Sequence, residues 1–155
     1  MKNIVFQLLM LICTCCHHPE YDRRLQIANN SNIIIYVGIS NMDWGYKDSA
    51  YVNFNYSVVK YGERYKFYPN TVKEYLLYIP WEQSFEHGKS DTVSFYVFDA
   101  AVLETTQWGK VKNDYLVLQR YDLNLENLIN LNWTLSYPPD ERMKNMKMYP
   151  PCGSK

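Results

Sequence analysis

The residues with the most evident chemistry lie near the start of the chain, where thiols and imidazoles follow one another closely. They are Cys13, Cys15, Cys16, His17 and His18. Zinc and copper(I) bind such side chains. A structural zinc site, however, spaces paired ligands by about two to four residues and repeats the pair farther along the chain, which this cluster does not. The pattern therefore predicts no metal site and indicates another role for the cysteines.

The residues before these cysteines have the form of an export signal. Lys2 precedes an apolar run from Ile4 to Ile12. This run is shorter than the roughly 20 apolar residues of a membrane-spanning helix, and it suits the about 7 to 15 residues of a secretory signal. The pattern therefore predicts export, with a cysteine at the end of the signal.

The choice among the three cysteines follows from lipoprotein processing in bacteria. The processed sequence has an aliphatic residue three positions before the lipidated cysteine, with small residues between them. Cys15 fits best, because Ile12 is the aliphatic residue and Thr14 is small. Cys16 and Cys13 are the alternatives, and a secreted protein without a lipid is the remaining interpretation. We expect a lipid on Cys15 to anchor the chain to the bacterial outer membrane.

Composition excludes one class of partner and bounds the size of the exported part. The 155 residues include 16 Lys plus Arg and 16 Asp plus Glu, so a basic surface for nucleic acid is not expected. Aromatic residues make up 16% of the chain, which favours strands. Processing at Cys15 leaves enough chain for one domain. We predict four segments: a signal peptide (1–14), a tether (15–24), a β-sandwich domain (25–139) and a flexible C-terminal tail (140–155).

Alternation of apolar and polar residues predicts strands along most of the domain. Leu25–Ser40 has the pattern of a hairpin with turn residues at Asn29–Asn32, and its second strand is apolar enough to be central. Further strands are predicted at Val52–Val58, Tyr65–Tyr68, Val72–Tyr78, Thr92–Phe98, Tyr115–Tyr121 and Asn132–Tyr137.

Short helices are predicted between some of these strands. Asp99 and Asn124 are N-cap residues, each flanked by apolar residues at the spacing of a hydrophobic staple. One helical turn is predicted at Trp81–Phe85. Turns, rather than helices long enough for a parallel βαβ sheet, separate most strands. The sequence therefore predicts a mainly β fold, an antiparallel β-sandwich of about seven or eight short strands with two or three short helices in the connections.

Several segments together resemble a family of small lipoproteins from Bacteroides-type bacteria (Bacteroidales). They are Ile27–Val37, Asp91–Glu104, Tyr115–Leu128 and Asn132–Pro138, and they cover most of the predicted domain in order. The resemblance implies an exported, β-rich domain and supplies no catalytic residues. Many such lipoproteins on the cell surface have an acidic run directly after the cysteine, whereas here His17, His18 and Pro19 intervene before Glu20. Periplasmic and surface display therefore both remain open.

Candidate catalytic residues are few, and their spacing is unfavourable. His87 lies close to Ser90 and Asp91 in one polar turn. A catalytic triad needs a rigid scaffold that brings three side chains together, which neighbours in one turn rarely achieve. Asp99 and Asp122 both lie beside helix starts, where caps or turns explain them better than a glycosidase-like carboxylate pair. The sequence predicts no enzyme and no cofactor.

Three tryptophans are the candidate ligand-binding residues. Trp44, Trp81 and Trp108 fall in predicted loops or short helices rather than in strand centres. Large aromatic side chains exposed in loops indicate a partner, and flat sugars are one class that they bind. The alternative is that these rings pack inward and cover the open ends of the sandwich.

The C-terminal tail carries two further chemical possibilities. Thioethers at the spacing of Met143, Met146 and Met148 can bind copper(I), although scattered methionines in a free tail are the simpler interpretation. Cys16 and Cys152 are able to form a disulfide in an oxidising compartment, which the sequence alone does not establish.

Together these patterns predict a lipid-anchored cell-envelope protein with a non-catalytic binding or interaction domain. The expected partners are the membrane, through the N-terminal lipid, and a glycan or another envelope protein. A glycan-binding lipoprotein that uses loop tryptophans is the first alternative, and a hydrolase or a metal-binding envelope protein is the second.

Overall fold

A computed structural model of the chain describes residues 25–40, 62–75, 81–82, 85 and 91–153. Within these residues the fold is mainly β, with eight strands in two sheets. The strands are β1 (Leu25–Asn29), β2 (Ile35–Ser40), β3 (Lys66–Phe67), β4 (Thr71–Tyr75), β5 (Thr92–Asp99), β6 (Gln119–Asn124), β7 (Thr134–Tyr137) and β8 (Lys147–Tyr149). Residues 62–65 are helical, and the further helices are α1 (Ala100–Thr105), α2 (Trp108–Asn113) and α3 (Leu125–Asn130), with a 3₁₀ turn at Glu141–Met143.

The two sheets form a sandwich-like arrangement, as the sequence predicts. One sheet has the strand order β4-β1-β7 and the other has the order β3-β2-β5-β6-β8. All pairings are antiparallel except the one between β1 and β7. The predicted strand at Val52–Val58 lies outside the described residues.

The core lies between the sheets and contains alternate residues of their strands. Val93, Phe95 and Val97 of β5 are buried with Leu25 and Ile27 of β1 in one apolar cluster. The two sheets are also joined by a hydrogen bond, because the buried Tyr121 hydroxyl of β6 donates to the Ser136 carbonyl of β7 at 2.8 Å. Period-two alternation thus selects the buried face of each strand.

The predicted hairpin at Leu25–Ser40 is wrong, because β1 and β2 belong to different sheets. The connection between them is held by the buried side chain of Asn29. Its amide nitrogen donates to the carbonyls of Ile33 (2.8 Å) and Phe67 (3.0 Å), and its oxygen accepts from the Ser31 backbone and hydroxyl. Asn29 therefore ties the end of β1 to β3 of the opposite sheet. The prediction that β2 is central is confirmed, since β2 lies between β3 and β5.

Both predicted N-caps are present. The Asp99 carboxylate accepts from the Ala101 backbone N–H at 2.8 Å, which starts α1. Asn124 forms a reciprocal capping box with Asn127 at the start of α3. The helix α2 was not predicted, and the strand expected from Tyr115 begins only at Gln119.

The C-terminal segment is a correction to the predicted domain organisation. The tail predicted to be flexible over 140–155 is part of the fold in residues 140–153. Strand β8 pairs with β6, and the 3₁₀ turn buries Met143 completely in the core. Met146 and Met148 pack against the same cluster, so these thioethers are used as apolar side chains.

Candidate functional site

The tryptophans singled out by the sequence do not form an exposed aromatic surface among the described residues. Trp81 is 0% exposed, and its ring lies 5.7 Å from the ring of Phe95, so its prediction as a ligand-binding residue is corrected to a core role. Trp108 is half-buried at the start of α2, with its ring edge-on to Phe98 at 6.0 Å. Trp44 lies outside the described residues.

The predicted cysteine and histidine sites are largely untested by the structure. Cys13, Cys15 and Cys16 lie outside the described residues, as do His87 and Ser90 of the candidate triad. Cys152 has no disulfide partner among the described residues, and its sulfur is 3.9 Å from the Asp140 carbonyl oxygen; a disulfide with Cys16 stays a prediction. The lipidated cysteine therefore stays a prediction.

The two candidate carboxylates have different roles. Asp99 is an N-cap, as predicted. Asp122 does not serve a cap or a turn, because it lies within β6 and is only 8% exposed. Its position opposite Ser94 of β5 and Lys147 of β8 makes it the centre of a polar group that the sequence did not indicate.

This polar group occupies the outer face of the five-stranded sheet, the face directed away from the other sheet. Strand register places side chains on two adjacent rungs across β5, β6 and β8. Residues directly opposite on one face have their Cβ atoms about 4.5–5.5 Å apart. We call these residues the outer-face cluster: Tyr96, Arg120 and Tyr149 on one rung, and Ser94, Asp122 and Lys147 on the next.

Asp122 is held by donors from three strands. Its Oδ1 accepts from the Ser94 hydroxyl at 2.6 Å and from Arg120 Nε at 2.7 Å. Its Oδ2 lies 3.3 Å from Lys147 Nζ. Burial would raise the pKa of this carboxyl, but the hydrogen bonds from Ser94, Arg120 and Lys147 outweigh burial and lower the pKa below its ordinary value. Asp122 is therefore a fixed anion at neutral pH.

Arg120 connects this carboxylate to the aromatic rung. Its guanidinium lies 5.6 Å from the centre of the Tyr96 ring, which is a cation–π geometry. Burial alone would lower the pKa of Arg120, but the hydrogen bond with Asp122 and the neighbouring tyrosines raise it. Arg120 is thus a permanent cation whose plane is fixed from two sides.

Tyr149 of the cluster is in contact with a second exposed tyrosine, Tyr115, which lies beside the cluster. The rings of Tyr115 and Tyr149 meet nearly edge-on, with centroids 6.1 Å apart and planes at 65°. Tyr149 is 62% exposed, and Tyr115 is also exposed. Tyr115 has a φ of 50°, a left-handed conformation that Asn70, Asn132 and Trp133 also adopt. An aromatic surface therefore lies directly beside Arg120.

The other part of the same face is covered by helices α1 and α2. Tyr36, Tyr96 and Phe98 pack there with Ala100 and Val111. At its border Glu104 accepts from the Tyr36 hydroxyl and from Lys66 Nζ, both at 2.8 Å. The hydrogen bond from Lys66 lowers the pKa of the Glu104 carboxyl. These contacts close the helical layer, and they leave the outer-face cluster as the polar end of the sheet.

The described residues contain neither a metal-ligand cluster nor a helix suited to span a membrane. No group of three or more His, Cys, Asp and Glu side chains among them is placed to hold one metal ion. In the same part of the chain, no helix combines the length and apolar character that crossing a membrane requires.

Comparisons with known proteins identify no relative. No protein-family model matches the chain, no curated protein matches it, and no solved structure matches it.

Proposed function

We propose that this protein is a lipid-anchored cell-envelope protein whose β-sandwich is a non-catalytic binding module. The anchor is supported by the apolar run Ile4–Ile12 shortly before Cys15 and by the resemblance to Bacteroidales lipoproteins. The binding role is supported by the exposed aromatic and charged surface of the outer-face cluster. The proposed location is the outer membrane, with the domain on its periplasmic or surface side.

The single observation that carries the binding role is the exposure of Tyr149 beside two cations. Tyr149 is 62% exposed, Arg120 lies directly opposite it in the sheet, and the Lys147 side chain is 79% exposed on the next rung. An aromatic ring kept in solvent beside fixed charges is a common arrangement in ligand sites, because the ring provides contact area and the charges provide orientation.

The cluster is better suited to binding than to acid–base or nucleophilic catalysis. The Ser94 hydroxyl donates a hydrogen bond to Asp122. A carboxylate with a lowered pKa is a weak base, however, and does not activate a hydroxyl. Both Asp122 oxygens are engaged by donors from the protein. The carboxylate therefore orients Arg120 and Lys147 rather than reacting.

A protein partner at the edge of the three-stranded sheet is the second candidate. Among the described strands, β4 lies at the edge of its sheet; its first four residues are exposed, and Val72 is 59% exposed. An open edge is able to recruit a strand from another chain. Lys73 works against this, because a charged side chain on an edge strand discourages such pairing. The outer-face cluster therefore gives the stronger binding surface.

Photo-crosslinking in intact cells tests the proposed binding role. A photoreactive phenylalanine analogue is placed at Tyr149, and the same analogue at Ile129 of α3 is the control, since that residue is also exposed but lies outside the cluster. We expect light-dependent adducts at position 149 and none at position 129. Equal labelling at both positions, or no adduct at position 149, would contradict the proposal.

A further inference from the structure

We infer that the outer-face cluster binds a carboxylated sugar, such as a uronic acid residue of an acidic polysaccharide. This inference rests on the proposed binding function and names the ligand class for the same surface. It follows from three properties of the cluster. Its donors outnumber its acceptors, it contains an exposed aromatic ring, and the strand edge beside it is too short to pair with an extended peptide.

The balance of donors and acceptors favours an anion. The cluster contains two cations, Arg120 and Lys147, and one anion, Asp122. The Asp122 oxygens are already occupied by three donors. Arg120 has five N–H donors and Lys147 has three, and Asp122 takes one from each. The surface therefore offers further donors and net positive charge to a ligand, and a carboxylate accepts from both.

The aromatic part favours a saturated ring over a small inorganic anion. Tyr115 meets Tyr149 nearly edge-on and so supports its ring while leaving Tyr149 largely exposed. The face of an aromatic ring carries partial negative charge, which attracts the polarised C–H groups on the apolar side of a sugar. Because Arg120 is directly opposite Tyr149, a sugar on this ring has its substituents within reach of the guanidinium.

The adjacent strand edge does not favour an extended peptide. Strand β8 has only three residues and is followed by Pro150 and Pro151, which have no backbone N–H to donate. The Pro150 carbonyl already accepts from the side-chain amide of Gln119 at 2.7 Å. A ligand at this place is therefore bound mainly by side chains, as polysaccharides are, rather than by strand addition.

Calorimetry with matched ligands tests the inference. The probes are oligosaccharides of galacturonate, glucuronate and mannuronate, each compared with the same oligosaccharide after reduction of its carboxylates to alcohols. The full chain is used in detergent. We expect at least one uronate oligosaccharide to bind, its reduced form to bind about tenfold more weakly, and added salt to weaken the binding.

Variants of exposed residues locate the site. Tyr149→Ala and Lys147→Gln are each expected to weaken uronate binding about tenfold. Lys144→Gln is the matched control, because Lys144 is also an exposed lysine of the C-terminal segment but pairs with Glu141 instead of Asp122. We expect this control to bind like the wild type, and circular dichroism is used to check that all three variants remain folded.

The alternative outcomes separate the ligand class from the binding role. Equal binding of acidic and reduced oligosaccharides that is lost in Tyr149→Ala would contradict recognition of the carboxylate. The proposed binding function would still stand. Binding to anionic phospholipid vesicles but not to the oligosaccharides would contradict the inference that the ligand is a sugar. Failure of all the oligosaccharides overturns the inference alone when the crosslink at position 149 succeeds, and the proposed function fails as well when that crosslink is absent.

Discussion

Replacing Asp122 with asparagine removes the central charge of the outer-face cluster and keeps its shape. The carbonyl oxygen of the asparagine still accepts from Ser94 and Arg120, but the Ser94 bond becomes neutral and the Arg120 bond keeps only its cationic donor. Hydrogen bonds to charged groups contribute about 1.5–3 kcal/mol and neutral ones about 0.5–1.5 kcal/mol, so the Ser94 bond loses about 1 kcal/mol, and loss of the ion pair with the partly exposed Arg120 removes about 1 kcal/mol more. The Lys147 pair adds little, because its side chain is 79% exposed. We expect Asp122→Asn to lower the free energy of unfolding by about 2 kcal/mol.

Urea unfolding followed by circular dichroism measures this loss. The matched control is Asp114→Asn on the surface, where the Lys110 pair is exposed on both sides and contributes less than about 1 kcal/mol. Because the pKa of Asp122 is lowered in the fold, its contribution is present above the unfolded pKa of about 3.9 and is lost as pH falls through the folded pKa. The free energies of unfolding of the wild type and of Asp122→Asn should therefore converge in acid. A difference under about 0.5 kcal/mol at pH 7, or one that persists unchanged in acid, would refute this reasoning.

Three further predictions concern the anchor and the fold. Radiolabelled palmitate should enter the wild type and be absent from Cys15→Ser; label that survives this change but disappears in Cys16→Ser would show that the lipidated cysteine is Cys16. Asn29→Ala should lower the free energy of unfolding by about 3 kcal/mol in urea melts, because it leaves buried backbone groups without partners; an unchanged midpoint would contradict the role of this side chain between the sheets. Tyr121→Phe should cost about 1 kcal/mol by the same assay, since it removes one buried hydrogen bond between the sheets, and a gain in stability would argue against that bond.

The sequence predicted what depends on local periodicity and capping. Alternation in Thr92–Phe98 identified β5, and it also separated the core residues from those on the outer face. Asp99 and Asn124 were recognised as N-caps, because a cap is a contact between near neighbours in sequence. The choice between a hairpin and a crossing between sheets was not local. Turn residues are compatible with a hairpin after β1 and with a crossing to the other sheet. The crossing is associated with the hydrogen bond from Asn29 to Phe67, which is distant in sequence.

The candidate site depends on register between distant strands, which alternation does not determine. Ser94 and Asp122 are 28 residues apart in sequence, and in the fold the Ser94 hydroxyl is 2.6 Å from Asp122 Oδ1. A weaker signal was present, because the spacing of Arg120 and Asp122 places two charged side chains on one face of a strand. Lys147 and Tyr149 have the same spacing, but their strand is only three residues long and the segment has the composition of a tail. The prediction that Trp81 binds a ligand was wrong because residue type alone does not separate the two roles. A large apolar ring is equally suited to a ligand site and to the core, where Trp81 lies.

The most direct test of the binding surface is a crystal structure of the protein with a bound uronate oligosaccharide. Our account predicts a sugar ring packed on Tyr149, with its carboxylate within hydrogen-bond distance of Arg120 and Lys147. A sugar bound elsewhere on the domain, or one on Tyr149 whose carboxylate points away from both cations, would contradict it.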